Sequence, residues 1–206
     1  MTRAAIPVLG TSLALALALP GSAGPPPPGP PIVEVVAAPG TASREVATGF
    51  EASPGRIVTV AHAVAGRARV LVRGERGGGR PARVLRLDRG SDLALLAVAG
   101  VASSTVPAPG PEALRMLARR GARPARLRRQ IVAHVRRAGG GSVYTRPALE
   151  LAAKVMPGDS GAPVVDGGGR LAGVIFAVSE RRDDVAYAVD AAAVHRLLGT
   201  RRPRRP

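Results

Sequence analysis

The stretch Pro157-Gly-Asp-Ser-Gly-Ala-Pro163, followed at once by Val164-Val165, is the place to begin. It sets one hydroxyl, Ser160, between two glycines, behind an acid, inside a proline-bounded turn. As a plain turn ahead of a strand it is well formed, because Gly, Pro, Asp and Ser fill most turns. A nucleophilic serine places stricter demands on its surroundings. Its Oγ must stand exposed, and the neighbouring N–H groups must point at a developing oxyanion. The rest of the chain decides between turn and nucleophile.

Outward from that turn the chain is written in short β-branched runs separated by Gly/Pro turns. IVEVVAA (32–38), RIVTVAHAV (56–64), ARVLVR (68–73), ARVLRL (82–87), LALLAV (93–98), QIVAHV (130–135), APVVD (162–166) and LAGVIFAV (171–178) all read as strands. Many short strands with frequent turn signals predict an all-β sandwich or barrel. One helix is clear: Asp190 as N-cap, AAAVHRLL as the body, Gly199 as the stop. The segment PEALRMLARRGARPARLRRQ (111–130) has the pattern of a short amphipathic helix, but Gly121 and Pro124 interrupt it, so strand and loop are expected there. No repeat of fixed period is visible.

The first residues, MTRAAIPVLGTSLALALALPGSAG, follow the pattern of an export signal, with Arg3 ahead of an apolar run from Leu9 to Leu19. The small residues Gly21-Ser22-Ala23 offer a cleavage site, so residues 1–23 are expected to be a signal peptide removed after Ala23. An uncleaved N-terminal anchor is the alternative, although the run is short against the roughly 20 residues of a membrane span. Removing 23 of the 206 residues leaves 183, the size of one domain. GPPPPGPP (24–31) reads as an extended linker, residues 32–199 as the folded domain, and RRPRRP within 200–206 as a disordered basic tail. The chain has no cysteine, so an exported fold here stands without disulfides, which favours a bacterial envelope or secreted protein. With only Phe50, Tyr144, Phe176 and Tyr187 as aromatic residues, the core must be built from Val, Leu, Ile and Ala.

The formal charge of +16 comes almost wholly from arginine, since Lys154 is the only lysine. Arginine is dense from Arg115 to Arg137 and in the tail. Such a chain is drawn to polyanions, but a solvated arginine surface without a dedicated partner explains the same composition.

Three stretches carry the chemistry jointly. TVAHAV (59–64) places His62 after a strand, SDLALL (91–96) places Asp92 ahead of an apolar run, and GDSGAP (158–163) carries Ser160. Singly, each has a plain reading: a packed or surface histidine, a helix cap or turn, a hairpin turn. Together they supply base, acid and alcohol in an order that catalytic triads use. All three sit at strand ends or in turns, where a barrel brings distant segments together. His134, among arginines, and His195, on the terminal helix, lack such a setting and are expected to be structural or surface residues.

These motifs resemble those of chymotrypsin-fold, trypsin-like serine peptidases. ATGFEASPGRIVTVAHAVAG (47–66) is similar to the opening of HtrA/Deg-type and related bacterial envelope peptidases, where a Gly-Phe strand leads through a Ser-Pro-Gly turn to the histidine. The spacings, 30 residues from His62 to Asp92 and 68 from Asp92 to Ser160, are compact as in the bacterial branch. The likeness runs from about Ile32 to Leu198. It implies two six-stranded antiparallel barrels with the active site in the cleft between them, and a serine endopeptidase working through an acyl-enzyme. His62 would be the general base, Asp92 would orient it, and Ser160 would attack; the N–H groups of Gly158 and Ser160 would form the oxyanion hole, worth about 3–4 kcal/mol per donor. Substrate would meet Lys154 near the base of the primary pocket and Phe176, Ala177 and Val178 along its wall. Lys154 as a buried cation favours acidic side chains, whereas Lys154 pointing to solvent leaves small or medium apolar ones.

The chain departs from the pattern at Ala162, where a second glycine is usual, and a methyl there threatens to crowd the turn. Asp159, which animal relatives pair with a released N-terminus, has no evident partner in sequence. Nor is a C-terminal stretch long enough for a PDZ module visible, and no metal-ligand cluster, phosphate loop or dinucleotide motif suggests a cofactor. Expected partners are protein or peptide substrates and, weakly, anionic surfaces; no specific nucleic acid is expected. The competing class is an Arg-rich polyanion-binding envelope protein on an impaired peptidase scaffold.

Overall fold

Strand β1 (Ile32–Ala38) is buried along nearly its whole length and lies inside a sheet, between β2 (Glu45–Ser53) and β4 (Arg69–Arg73). The computed structural model describes residues 29–38, 45–74, 77–101, 114–136 and 143–199. The expected leader at 1–23, residues 24–28 of the linker, and the basic tail at 200–206 lie outside the described residues.

β2 turns at Pro54-Gly55 into β3 (Arg56–Val60), and a single helical turn, α1 (Ala61–Val64), follows. β5 (Gly79–Pro81), β6 (Arg83–Asp88) and β7 (Leu93–Ala97) complete an antiparallel sheet in the order β5-β4-β1-β2-β3-β7-β6. This sheet has seven strands where six were expected. The extra strand is the exposed β5, which pairs with β4 alone after a turn in which Gly77 and Gly78 both take positive φ.

The second half contains β8 (Leu114–Ala118), β9 (Gly121–Arg136), β10 (Val143–Ala152), β11 (Pro163–Val165), β12 (Leu171–Val178) and β13 (Val185–Asp190). These close into a six-stranded barrel in the order β10-β13-β12-β11-β8-β9. The segment with the broken helical pattern is the β8–β9 hairpin: Arg119 and Arg120 form the turn and Gly121, at φ 101°, opens the long β9. Barrel pairing overrides its helix propensity, and Pro124 sits within the ladder opposite Arg115.

α2 (Ala191–Leu198) closes the fold as expected. The Asp190 side chain accepts from Ala192 N at 2.6 Å, and Gly199 stops the helix at φ 74°. Its buried Ala193, Val194 and Leu197 join a core shared by the first sheet and part of the barrel. A second cluster, including Met116, Leu151, Val164 and Ile175, fills the barrel interior. Both are built mainly from Val, Leu, Ile and Ala, with Phe50 and Phe176 as the buried aromatic rings of the first and Met116 in the second. No helix among the described residues is long and apolar enough to cross a membrane.

Candidate active site

The end of β3 is where the first functional side chain is aimed. Val60 is fully buried, α1 begins at the next residue, and the helical turn lifts His62 out of the core to 43% side-chain exposure. Three bonds tie this turn to Asp92. The Asp92 carbonyl accepts from Ala61 N at 2.9 Å, Oδ1 accepts from His62 N at 2.9 Å, and Oδ2 lies 2.7 Å from His62 Nδ1. Asp92 has φ 59°, the one positive φ outside glycine among the described residues. Left-handed backbone is unfavourable for most side chains and least so for Asn and Asp, so these three bonds hold a conformation that suits an aspartate.

An ionised carboxylate only accepts, so the Asp92 contact assigns the proton to Nδ1 and leaves Nε2 as the ring's free acceptor. Burial on its own lowers the affinity of His62 for a proton. The hydrogen bond and charge of Asp92 outweigh it, with help from Glu45 and opposition from Arg146, so the imidazole titrates above its ordinary value.

The Ser160 loop is fastened to the first sheet by main-chain and threonine contacts. Thr48 N donates to the Ser160 carbonyl at 2.8 Å, and Thr48 Oγ1 donates to the Gly158 carbonyl at 2.7 Å. Thr59 Oγ1 donates to the Thr48 carbonyl at 2.7 Å, and Thr59 lies three residues before His62. A continuous set of hydrogen bonds therefore runs from the serine loop to β3, the strand that leads into the helical turn carrying His62. Gly161, at φ 90°, allows this approach, since a Cβ there would fall 2.0 Å from the Thr48 carbonyl oxygen. Among the described residues the N–H groups of Gly158 and Ser160 donate to no protein acceptor, and no hydrogen bond joins Ser160 Oγ to His62.

Asp159 does have a partner. It is buried, receives Arg123 Nη2 from β9, and accepts from Met156 N at 2.6 Å, while its own N–H donates to the Met156 carbonyl at 3.0 Å. The carboxylate thus closes the turn that presents Gly158 and Ser160, and a cation from the neighbouring strand neutralises it. Ala162 does not crowd the loop. Its methyl is fully buried in the barrel core, beside Val164 and Ile175.

A cleft of about 260 Å³ opens beside His62 and Asp92, with Phe176, Ala177, Tyr144 and Arg146 among its walls. Phe176 and Ala177, expected along the wall of the primary pocket, line this cleft beside His62. Val178 is half exposed and does not line this cleft. Lys154 is exposed in the segment after β10, so the reading in which it is a buried cation gives way to the one in which it faces solvent. His134 is exposed, with Thr145 Oγ1 at 3.4 Å, and His195 rides on α2; neither joins the site. No three His, Cys, Asp or Glu are grouped to hold a metal among the described residues.

Sequence reasoning missed Thr48, Thr59, Arg123 and Arg146. The threonines sit in ordinary strand runs, and the arginines read as part of a solvated basic surface. Only a fully buried threonine or a buried guanidinium marks them out, and burial at those positions was not visible in the pattern.

Comparison with known proteins agrees with this geometry. Residues 47–174 match the family described as the trypsin-like peptidase domain. The serine protease Rv3671c of Mycobacterium tuberculosis is 32% identical over 165 residues, covering 71% of this chain. The chain spans only 40% of that relative's length. The crystal structure of the Rv3671c protease in its active form superposes with a TM-score of 0.69 at 27% identity, over 85% of this chain and 84% of that one. Two more distant structures share the fold. A serine endoprotease from Yersinia pestis gives a TM-score of 0.61 at 18% identity, over 84% of this chain and 62% of its own. An HtrA-type protease solved with a tripeptide gives 0.64 at 15%, over 83% and 60%. With a matched domain, two antiparallel β units and a histidine bonded to an aspartate between them, the chain belongs to the chymotrypsin-fold, trypsin-like serine peptidase family.

Proposed function

We propose that the protein is a serine endopeptidase in which Ser160 attacks the peptide carbonyl, His62 takes and returns the proton, and Asp92 orients the imidazole. The observation that carries this reading is the two-point hold of Asp92 on His62, 2.7 Å to Nδ1 and 2.9 Å to the backbone N. It directs the free Nε2 outward as a base, and the ion pair with Asp92 stabilises the imidazolium formed during attack. The unengaged N–H groups of Gly158 and Ser160 support an oxyanion hole in the turn closed by Asp159. In the resting enzyme Ser160 Oγ is not bonded to His62, and catalytic hydrogen bonds of this kind commonly tighten only with substrate present.

Protein or peptide substrate would lie along the cleft walled by Phe176 and Ala177. With Lys154 in solvent, small or medium apolar residues are the expected primary side chains. The leader-like residues 1–23 support export to the bacterial envelope or medium. A fluorophosphonate probe tests the assignment: it labels the wild-type chain and leaves Ser160→Ala unlabelled. Absence of labelling in the wild type, alongside salt-sensitive binding to anionic vesicles, would replace this reading with that of a polyanion-binding scaffold.

A further inference from the structure

Arg146 lies on β10 opposite Ala133 of β9, and only 5% of its side chain is exposed. A guanidinium at that depth is normally paired and fully hydrogen-bonded, because a buried charge without partners is unfavourable. Here Nη1 stands 3.7 Å from Asp92 Oδ2, the same oxygen that faces His62 Nδ1. At that separation the contact is Coulombic, not a hydrogen bond. Nε and Nη1 reach no acceptor among the described residues, and Cζ lies 4.9 Å from the centre of the Phe176 ring. An apolar side chain of the same length would fill this site without two empty donors.

We propose that Arg146 is a positioning residue for Asp92: its buried guanidinium keeps the carboxylate aimed at His62 and sets a positive charge against it beside the imidazole. This deepens the triad reading and rests on it. An unopposed aspartate beside a half-buried histidine favours the imidazolium, which at neutral pH is a spent base. A cation on the same carboxylate oxygen weakens that preference. The other charged or titratable groups facing this cluster are few. Glu45 of β2 acts on His62 in the same sense as Asp92, and Asp88 of β6 and Tyr144 of β10 act on Arg146. Arg89 lines the cleft but is exposed, so its charge is screened. Arg146 is thus the buried cation opposing Asp92 and Glu45 at the imidazole. The Phe176 ring supports the guanidinium through its π-face.

The test uses the full chain with Arg146→Met and Arg146→Lys. His62 is titrated by NMR of its ring, and kcat/KM is followed against pH with a peptide substrate. In Arg146→Met the histidine midpoint and the acid limb of kcat/KM move upward together, so that kcat/KM near pH 6 falls about threefold or more beyond any loss at high pH. Arg146→Lys, which keeps the charge but not the planar stack, leaves both close to wild type. A loss equal at every pH with the titration unmoved marks a packing role and overturns the proposal, as does a Lys variant that shifts as far as the Met variant. Should Arg146→Met fail to fold, Arg146→Gln carries the same comparison. If the wild type is inert to a fluorophosphonate the triad reading fails, yet the NMR titration still decides what Arg146 does to His62.

Discussion

Thr48 and Ser160 are bound to each other across the two β units: Thr48 N donates to the Ser160 carbonyl at 2.8 Å while its hydroxyl holds the Gly158 carbonyl at 2.7 Å. A single buried residue of β2 therefore holds the turn at both Gly158 and Ser160, the proposed nucleophile. Thr48→Val keeps the shape and removes the hydroxyl, leaving a partly buried carbonyl unpaired. The expected loss is about 1–3 kcal/mol in urea denaturation, with a fall in kcat larger than any change in KM.

Gly161→Ala tests the close approach itself. The added methyl would meet the Thr48 oxygen at 2.0 Å and Thr59 Oγ1 at 2.8 Å, on a backbone at φ 90°. Backbone strain and the clash together are expected to remove about 3 kcal/mol or more, read as a large drop in Tm or loss of soluble protein.

Arg123→Met leaves the buried carboxylate of Asp159 without its cation. Breaking a buried pair in this way destabilises by about 3–5 kcal/mol, and Asp159→Asn in the same chain is expected to restore part of it. A double-mutant cycle on stability, with kcat measured for each variant, checks whether the pair acts as a unit.

Asp92→Asn keeps the carbonyl that accepts from Ala61 and tolerates the left-handed backbone, so the fold is expected to survive. The amide no longer enforces the useful tautomer, and kcat is expected to fall by about 10⁴-fold, as for the corresponding change in comparable enzymes. A circular-dichroism melt beside the rate measurement separates the two effects.

The pH dependence follows from the raised proton affinity of His62. Attack needs neutral imidazole, so kcat/KM rises with pH along a limb set above the ordinary histidine value. Stability runs the other way. A group whose proton affinity is higher in the folded state stabilises the fold fully below its unfolded pKa, and that contribution is lost as pH rises through the folded pKa. Rate profiles and denaturation midpoints over the same pH range are expected to move in opposite directions for this component.

Much of the architecture was legible in local pattern. Eight apolar runs became strands or parts of strands, except that Ala61–Val64 at the end of the second run is helical, and Asp190 and Gly199 bound the terminal helix as their cap chemistry requires. The broken helical pattern at 111–130 was harder, because Gly121 and Pro124 exclude a helix without saying that the pieces pair with each other. Seven strands in the first sheet, in place of six, depended on a short exposed pairing of Gly79–Pro81 that carries no hydrophobic signal.

The site divides along the same line. Motif chemistry singled out His62, Asp92 and Ser160, since few residue types serve as base, orienting acid and alcohol, and each sat in a recognisable turn. Which arginines among so many are buried against Asp92 and Asp159, which threonine clamps the serine loop, and that Lys154 stays in solvent were decided by tertiary structure alone. Local pattern specifies where a chain turns and which face is apolar. The partner of a buried charge is chosen by whichever strand the closed sheet lays against it, and residues 36 or 54 positions apart meet only there.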